Sequence, residues 1–125
     1  MKPEVAYGQL VTANLAPRRG TEPGKVRPVL VMQTDLLNEA EHPSTFVLLC
    51  TTRLTGESLL RVELPGGCAG NRESCEVMID QGRAIDNRRL RRQLGRLPQP
   101  LLNEVRQKLR LLLALDDRAG QAGAA

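Results

Sequence analysis

Four consecutive apolar residues, Val29, Leu30, Val31 and Met32, follow directly on a loop punctuated by glycine, proline and charge. This junction, residues 17–33 (PRRGTEPGKVRPVLVMQ), constrains the fold more than any other stretch. An apolar run without polar alternation suits a strand buried on both faces. Pro28 stands at the first position of that strand, where a sheet tolerates a residue that cannot donate to the ladder. Gly20 and Gly24 allow positive φ or close backbone approach in the loop. Arg27 therefore sits where a loop is pinned to a rigid strand, a good place for a working side chain. Taken alone, Arg18, Arg19, Glu22, Lys25 and Arg27 fit a solvated basic turn better than a site.

Other segments supply more strands. Residues 8–15 (GQLVTANL) alternate imperfectly and read as the first. Residues 28–34 make the second, and Asp35 is placed to cap a short helical turn over 36–40. Residues 45–51 (TFVLLCT) are another solid apolar run, ending in the hydroxyls of Thr51 and Thr52 and then Arg53. Residues 59–64 (LLRVEL) alternate as a fourth strand. After the turn-rich stretch PGGCAGNRE, residues 75–81 (CEVMIDQ) form a fifth, ending in Asp80 and Gln81. Buried strands with polar groups at their ends can bring those ends together.

From Asp86 the pattern turns helical. Asp86 can cap a helix over 87–94, which Gly95 stops. Arg96 and Leu97 add at most a short strand. Pro98 and Pro100 open a last helix, in which Leu101, Leu102, Val105, Leu109, Leu112 and Leu113 recur at three- and four-residue steps. The 125 residues form one domain over 1–117, with 118–125 (RAGQAGAA) a frayed tail.

Charge is concentrated. Between Arg83 and Arg110 nine basic residues face two acidic ones, Asp86 and Glu104, which favours polyanion partners through counterion release. A soluble Arg-rich helix surface would look the same. Aromatic residues are limited to Tyr7 and Phe46, so any nucleic acid would be held by phosphate contacts and hydrogen bonds more than by stacking. One histidine, His42, in a polar loop and three cysteines (Cys50, Cys68 and Cys75) without a paired CxxC make a poor metal set. Three reduced thiols are the simplest reading, with a Cys68–Cys75 bridge left open. No phosphate-binding GxxxxGK[ST] loop or HExxH motif occurs, and no apolar stretch is long enough to span a membrane. The amino terminus lacks a signal-peptide core, which makes a cytoplasmic location the expectation.

The residues left to carry chemistry are Glu22, Arg27, Thr51, Thr52, Asp80 and Gln81. In the order TEPGKVRPVLVMQTD, FVLLCTT and MIDQGRAID, the chain resembles the MazF/PemK/Kid toxin endoribonucleases over about residues 8–115. The resemblance implies a mainly β (α+β) fold, a small antiparallel SH3-like barrel with short helices and a C-terminal helix, and a homodimer. It implies a toxin of a type II toxin–antitoxin system that cleaves single-stranded RNA without metal or cofactor, leaving a 2′,3′-cyclic phosphate and a 5′-hydroxyl. A cognate antitoxin is the implied protein partner.

Arg27 matches the family's catalytic arginine and Thr51 its catalytic threonine, with Thr52 next in line if the register shifts by one. A guanidinium presents a planar fork suited to phosphate oxygens, but it holds its proton to about pH 12 and above, which makes it an awkward base. Asp80 matches an aspartate used as a base in one branch. That branch also has an arginine where this chain has Met78 and a histidine where it has Thr21. Gln81 and Arg83 match the pattern DQxRxID and are expected to shape the RNA groove, alongside Arg18, Arg19, Glu22, Lys25 and Arg53. Gln9 and Lys25 depart from the family pattern of Asp and Gly. A gyrase-directed, CcdB-like toxin and a non-catalytic RNA-binding module remain the alternatives.

Overall fold

The computed structural model describes residues 4–15 and 25–115. In chain order they form β1 (Gln9–Asn14), β2 (Val26–Val31), α1 (Asp35–Glu39), β3 (Ser44–Thr51), β4 (Arg61–Leu64), β5 (Cys75–Asp86), a single 3₁₀ turn (Asn87–Arg89), β6 (Leu90–Arg96) and α2 (Gln99–Leu112). All six strands belong to one antiparallel sheet in the order β4-β5-β3-β2-β1-β6. No described helix is long and apolar enough to cross a membrane.

The apolar runs behave as a doubly covered sheet requires. Leu30, Leu48 and Cys50 join Leu10, Val62, Val77 and Ile79 in a main core, which Leu102 and Val105 of α2 close. Their neighbours Val29, Val31 and Val47 turn to the other face and pack with Val11, Ala13, Ile85 and Leu90. Consecutive residues on β2 thus serve opposite faces, the consequence of a two-residue side-chain period.

The sheet curls into a half-barrel. Its outer strands meet through the β4–β5 loop, where the Ala69–Gly70 backbone lies against Leu94–Gly95 of β6. A Cβ on Gly70 would stand 2.3 Å from the Leu94 carbonyl oxygen, and one on Gly95 2.7 Å from that of Ala69. Buried Asn71 holds this loop together. Its amide donates to the carbonyls of Leu64, Pro65 and Glu73, and its oxygen accepts from the Ala69 amide.

Four expectations change. The helix expected over 87–94 is one 3₁₀ turn, capped by Asp86 through the Arg88 amide, and then a strand. A lone helix of that length has little stability of its own, whereas pairing with β1 satisfies the backbone of 90–96 and buries Leu90 opposite Ala13. β5 does not end at Gln81, because Gly82–Asp86 go on to pair with Leu48–Ser44. Asp80 is therefore an exposed mid-strand residue, beside a register shift. Thr34, not Asp35, caps α1, since the Asp35 carboxylate accepts from the Tyr7 amide and the Asn38 side chain. Pro28 is the third residue of β2, but pairing with β3 starts only at Val29, so its missing donor interrupts nothing on that side. Cys50, Cys68 and Cys75 are all free thiols. The tail at 118–125 lies outside the described residues.

Candidate active site

β2 and β3 run antiparallel with Val29 opposite Leu49 and Val31 opposite Val47. Continuing that register brings Arg27 opposite Thr51. Both side chains line a pocket of about 460 Å³, together with Leu15, Leu49, Cys50, Thr52, Arg53 and Met78. The pocket opens on the sheet face opposite α2, at the end where the β2 ladder to β3 stops. Arg27 is exposed and Thr51 half-buried, so a cation and a hydroxyl face a solvent-filled recess with an apolar floor.

Thr51 is held in a defined state. Its Oγ1 accepts a hydrogen bond from the Arg53 amide at 3.1 Å, which leaves its proton free to point elsewhere. Cys50, beneath the pocket, is not a rival nucleophile. Its hydrogen bond with Cys75, reinforced by burial, pushes its thiol well above the ordinary range, and a protonated buried thiol is unreactive.

A second recess of about 540 Å³ adjoins the first and shares Leu15 with it. It is lined by Arg83, Ala84, Ile85, Asp86 and Arg89. Together they mark one groove across the sheet face, with Arg27 and Arg53 toward one end and Arg83 toward the other, where half-buried Arg89 is engaged at the Asn14 carbonyl at 3.2 Å and Asp86 adds an acidic group. Such a row of guanidinium groups suits successive phosphates of a single strand.

Five of the expected site residues therefore come together along the groove: Arg27, Thr51, Thr52, Arg53 and Arg83. Asp80 and Gln81 line neither recess. Lys25 is exposed at the foot of the β1–β2 connection, its carbonyl accepting from the Leu15 amide at 2.8 Å. Arg18, Arg19 and Glu22 lie outside the described residues. Among the described residues no cluster of three metal-ligating side chains occurs.

Sequence reasoning missed Glu76. It sits in the apolar run CEVMI, is 1% exposed, and is the cross-strand partner of Thr51. Its carboxylate accepts from the Thr55 amide (3.0 Å), the Gly56 amide (2.9 Å) and the Thr55 hydroxyl (3.0 Å), and pairs with Arg61 at 3.2 Å. A charge interrupting an otherwise apolar strand was the available signal. Met78, which replaces the arginine of one family branch, forms part of the pocket floor.

Two carboxylates make stability depend on acid. Burial works to raise the Glu76 value, but the Gly56 and Thr55 donors and Arg61 outweigh it and hold it below the usual range. Asp35 is lowered by its bonds from the Tyr7 amide and Asn38. Both folded-state values lie below their unfolded ones, about 3.9 for Asp and 4.3 for Glu. Their stabilisation is therefore complete above about pH 5 and is lost as pH falls through the folded values. The urea midpoint is expected to drop steadily between pH 5 and 3, and the slope should flatten in Glu76→Gln, whose amide does not titrate. Equal slopes in both proteins would remove Glu76 from this account.

A curled antiparallel half-barrel whose one face carries an arginine-lined groove, with a threonine hydroxyl beside Arg27, defines a small, mainly β protein with a basic surface site. The chain belongs to the PemK-like, MazF-like toxins of type II toxin–antitoxin systems, whose family model matches residues 6–113. It is 32% identical over 114 residues to "Endoribonuclease EndoA" of Bacillus subtilis (strain 168), covering 90% of this chain and 97% of that protein. Among solved structures it resembles the MazE-MazF complex of Deinococcus radiodurans, with 31% identity, a TM-score of 0.76 and coverage of 91% of this chain and 99% of that one. Mycobacterium tuberculosis toxin MazF-mt6 shares the fold at 21% identity and a TM-score of 0.71, covering 86% of this chain and 98% of that one.

Proposed function

We propose that this chain is an endoribonuclease toxin that cleaves single-stranded RNA without a metal ion. The observation that carries the reading is the shared pocket of Arg27 and Thr51. In the proposed reaction the ribose 2′-oxygen attacks the adjacent phosphorus and the P–O5′ bond breaks. The products are a 2′,3′-cyclic phosphate and a 5′-hydroxyl, the 2′ proton leaving and a proton reaching O5′. Arg27 offers two parallel donors to the phosphate oxygens as their charge grows, which is where a positioned donor accelerates a reaction. Thr51, one lone pair of its oxygen taken by the Arg53 amide, donates a hydrogen bond from its hydroxyl to the same phosphate. Thr52, Arg53 and Arg83 hold flanking phosphates along the groove, and Lys25, Gln81, Arg18, Arg19 and Glu22 are further RNA contacts, Glu22 as a hydrogen-bond acceptor rather than a phosphate ligand. Because Asp80 lines neither recess, water in the open groove takes the 2′ proton and supplies the one that reaches O5′.

The chain works in the cytoplasm as a homodimer, and an antitoxin neutralises it by covering the groove. Relatives solved as MazE-MazF complexes support that partner. The test is incubation of the purified protein with single-stranded RNA in excess EDTA, with end-group analysis. Cleavage leaving cyclic phosphate ends is expected. RNA bound but intact would replace the enzyme with a binding module, and absence of RNA binding would point to a protein-directed toxin.

A further inference from the structure

Glu76 is buried on the working face of the sheet, not in the main core. Its neighbours Cys75 and Val77 point into the main core, so Glu76 projects from the opposite face, as does its cross-strand partner Thr51. What covers it is the chain that follows Thr51. Thr55, Gly56 and Arg61 all close onto the one carboxylate. A carboxylate removed from water is retained only when its oxygens are satisfied in this way.

This grip has a geometric consequence at Thr51. The chain leaving β3 must bend back over Glu76 within five residues to deliver the Thr55 and Gly56 amides. In that bend the Arg53 amide meets Thr51 Oγ1 at 3.1 Å. The Thr55 hydroxyl adds a brace, accepting from the Glu57 amide at 3.2 Å while it donates to Glu76. Hydrogen bonds thus fix residues 55–57 on and around the Glu76 carboxylate, and the short backbone from Arg53 to Thr55 joins that grip to the amide held on the Thr51 hydroxyl oxygen.

We propose that Glu76 is a positioning residue for Thr51: by holding the 53–56 turn it keeps the Arg53 amide on Thr51 Oγ1 and so aims the Thr51 proton into the Arg27 pocket. This rests on the proposed ribonuclease reading, and it assigns Glu76 no contact with RNA. Glutamine at this position keeps the side-chain shape but loses one acceptor and the ion pair with Arg61, so the turn loosens without a void.

A double-variant cycle under single-turnover conditions tests it. Glu76→Gln is expected to lower the cleavage rate about 10-fold, and Thr55→Val about 3-fold, with RNA affinity little changed. In a Thr51→Ala background neither change should lower the rate further, because the oxygen they serve is gone. Losses that multiply in the double variants, or unchanged rates in both single variants, would overturn the proposal. Should Glu76→Gln fail to fold, Thr55→Val, at an exposed position, completes the cycle alone. Amide exchange at Arg53 separates this failure from that of the ribonuclease reading. Faster exchange in Thr55→Val supports the positioning role even if the wild-type protein leaves RNA intact, and unchanged exchange overturns it.

Discussion

Arg27→Ala is expected to slow RNA cleavage by about 10²–10³-fold, the loss seen when one positioned charge-stabilising donor is removed. The side chain is exposed and lines the pocket, and it belongs to neither core cluster. Truncating it therefore removes chemistry without opening a cavity, and the thermal midpoint should stay close to that of the parent. Charge on the non-bridging oxygens is greater in the transition state than in the bound substrate, so kcat and kcat/KM should fall together. Binding should weaken much less. One phosphate contact fewer lowers the slope of log K against log salt by about 0.7 for a single strand. Arg27→Lys keeps the charge but not the fork, and should recover only part of the rate. A loss confined to KM would make Arg27 a residue that holds RNA, and would move the chemistry elsewhere in the groove.

The largest effect on stability is expected at the seam of the half-barrel. Gly70 has φ +81° and no room for a side chain, the Leu94 carbonyl oxygen lying 2.3 Å from where a Cβ would stand. Left-handed backbone and overpacking against a main-chain atom act together, so Gly70→Ala should destabilise by about 2–5 kcal/mol. A stiffer unfolded chain offsets about 0.4–1 kcal/mol of that. Gly67 is the internal control, with φ +87° and open space around it, and Gly67→Ala should show the backbone strain alone, about 1–2 kcal/mol. Urea denaturation of the two variants separates the terms. Equal losses would mean that the contact between the β4–β5 loop and β6 is not a tight seam.

Particular residues show how far the chain could be read before its fold was known. The doubly covered strands were legible because Val29–Leu30–Val31 and Val47–Leu48 leave a sheet no polar face to expose. Arg27 and Thr51 could be placed at strand ends from the apolar runs beside them, but only the resemblance to the MazF/PemK family singled them out, since the basic loop taken alone fits a solvated turn. The segment 87–94 was misread. A capping Asp86 and a stopping Gly95 are local signals, whereas the open edge of β1 is a non-local one, and backbone pairing with it prevailed. Asp80 looked like a strand end for the same reason. Nothing local shows that Gly82–Asp86 pair with the first half of β3 after a register shift.

Glu76 marks the boundary most clearly. Its position in CEVMI says only that a charge interrupts a strand. That the carboxylate faces Thr51, and is buried by the turn that follows Thr51, depends on β3 lying beside β5, although the two residues are 25 positions apart in the chain. By itself, the sequence determined which segments must be buried and which side chains were chemically suited to phosphate, because apolar runs and charge types are properties of the residues. Only the tertiary structure decided which of those side chains share a pocket and what holds them there, because strand register and loop closure are set by packing between segments distant in sequence.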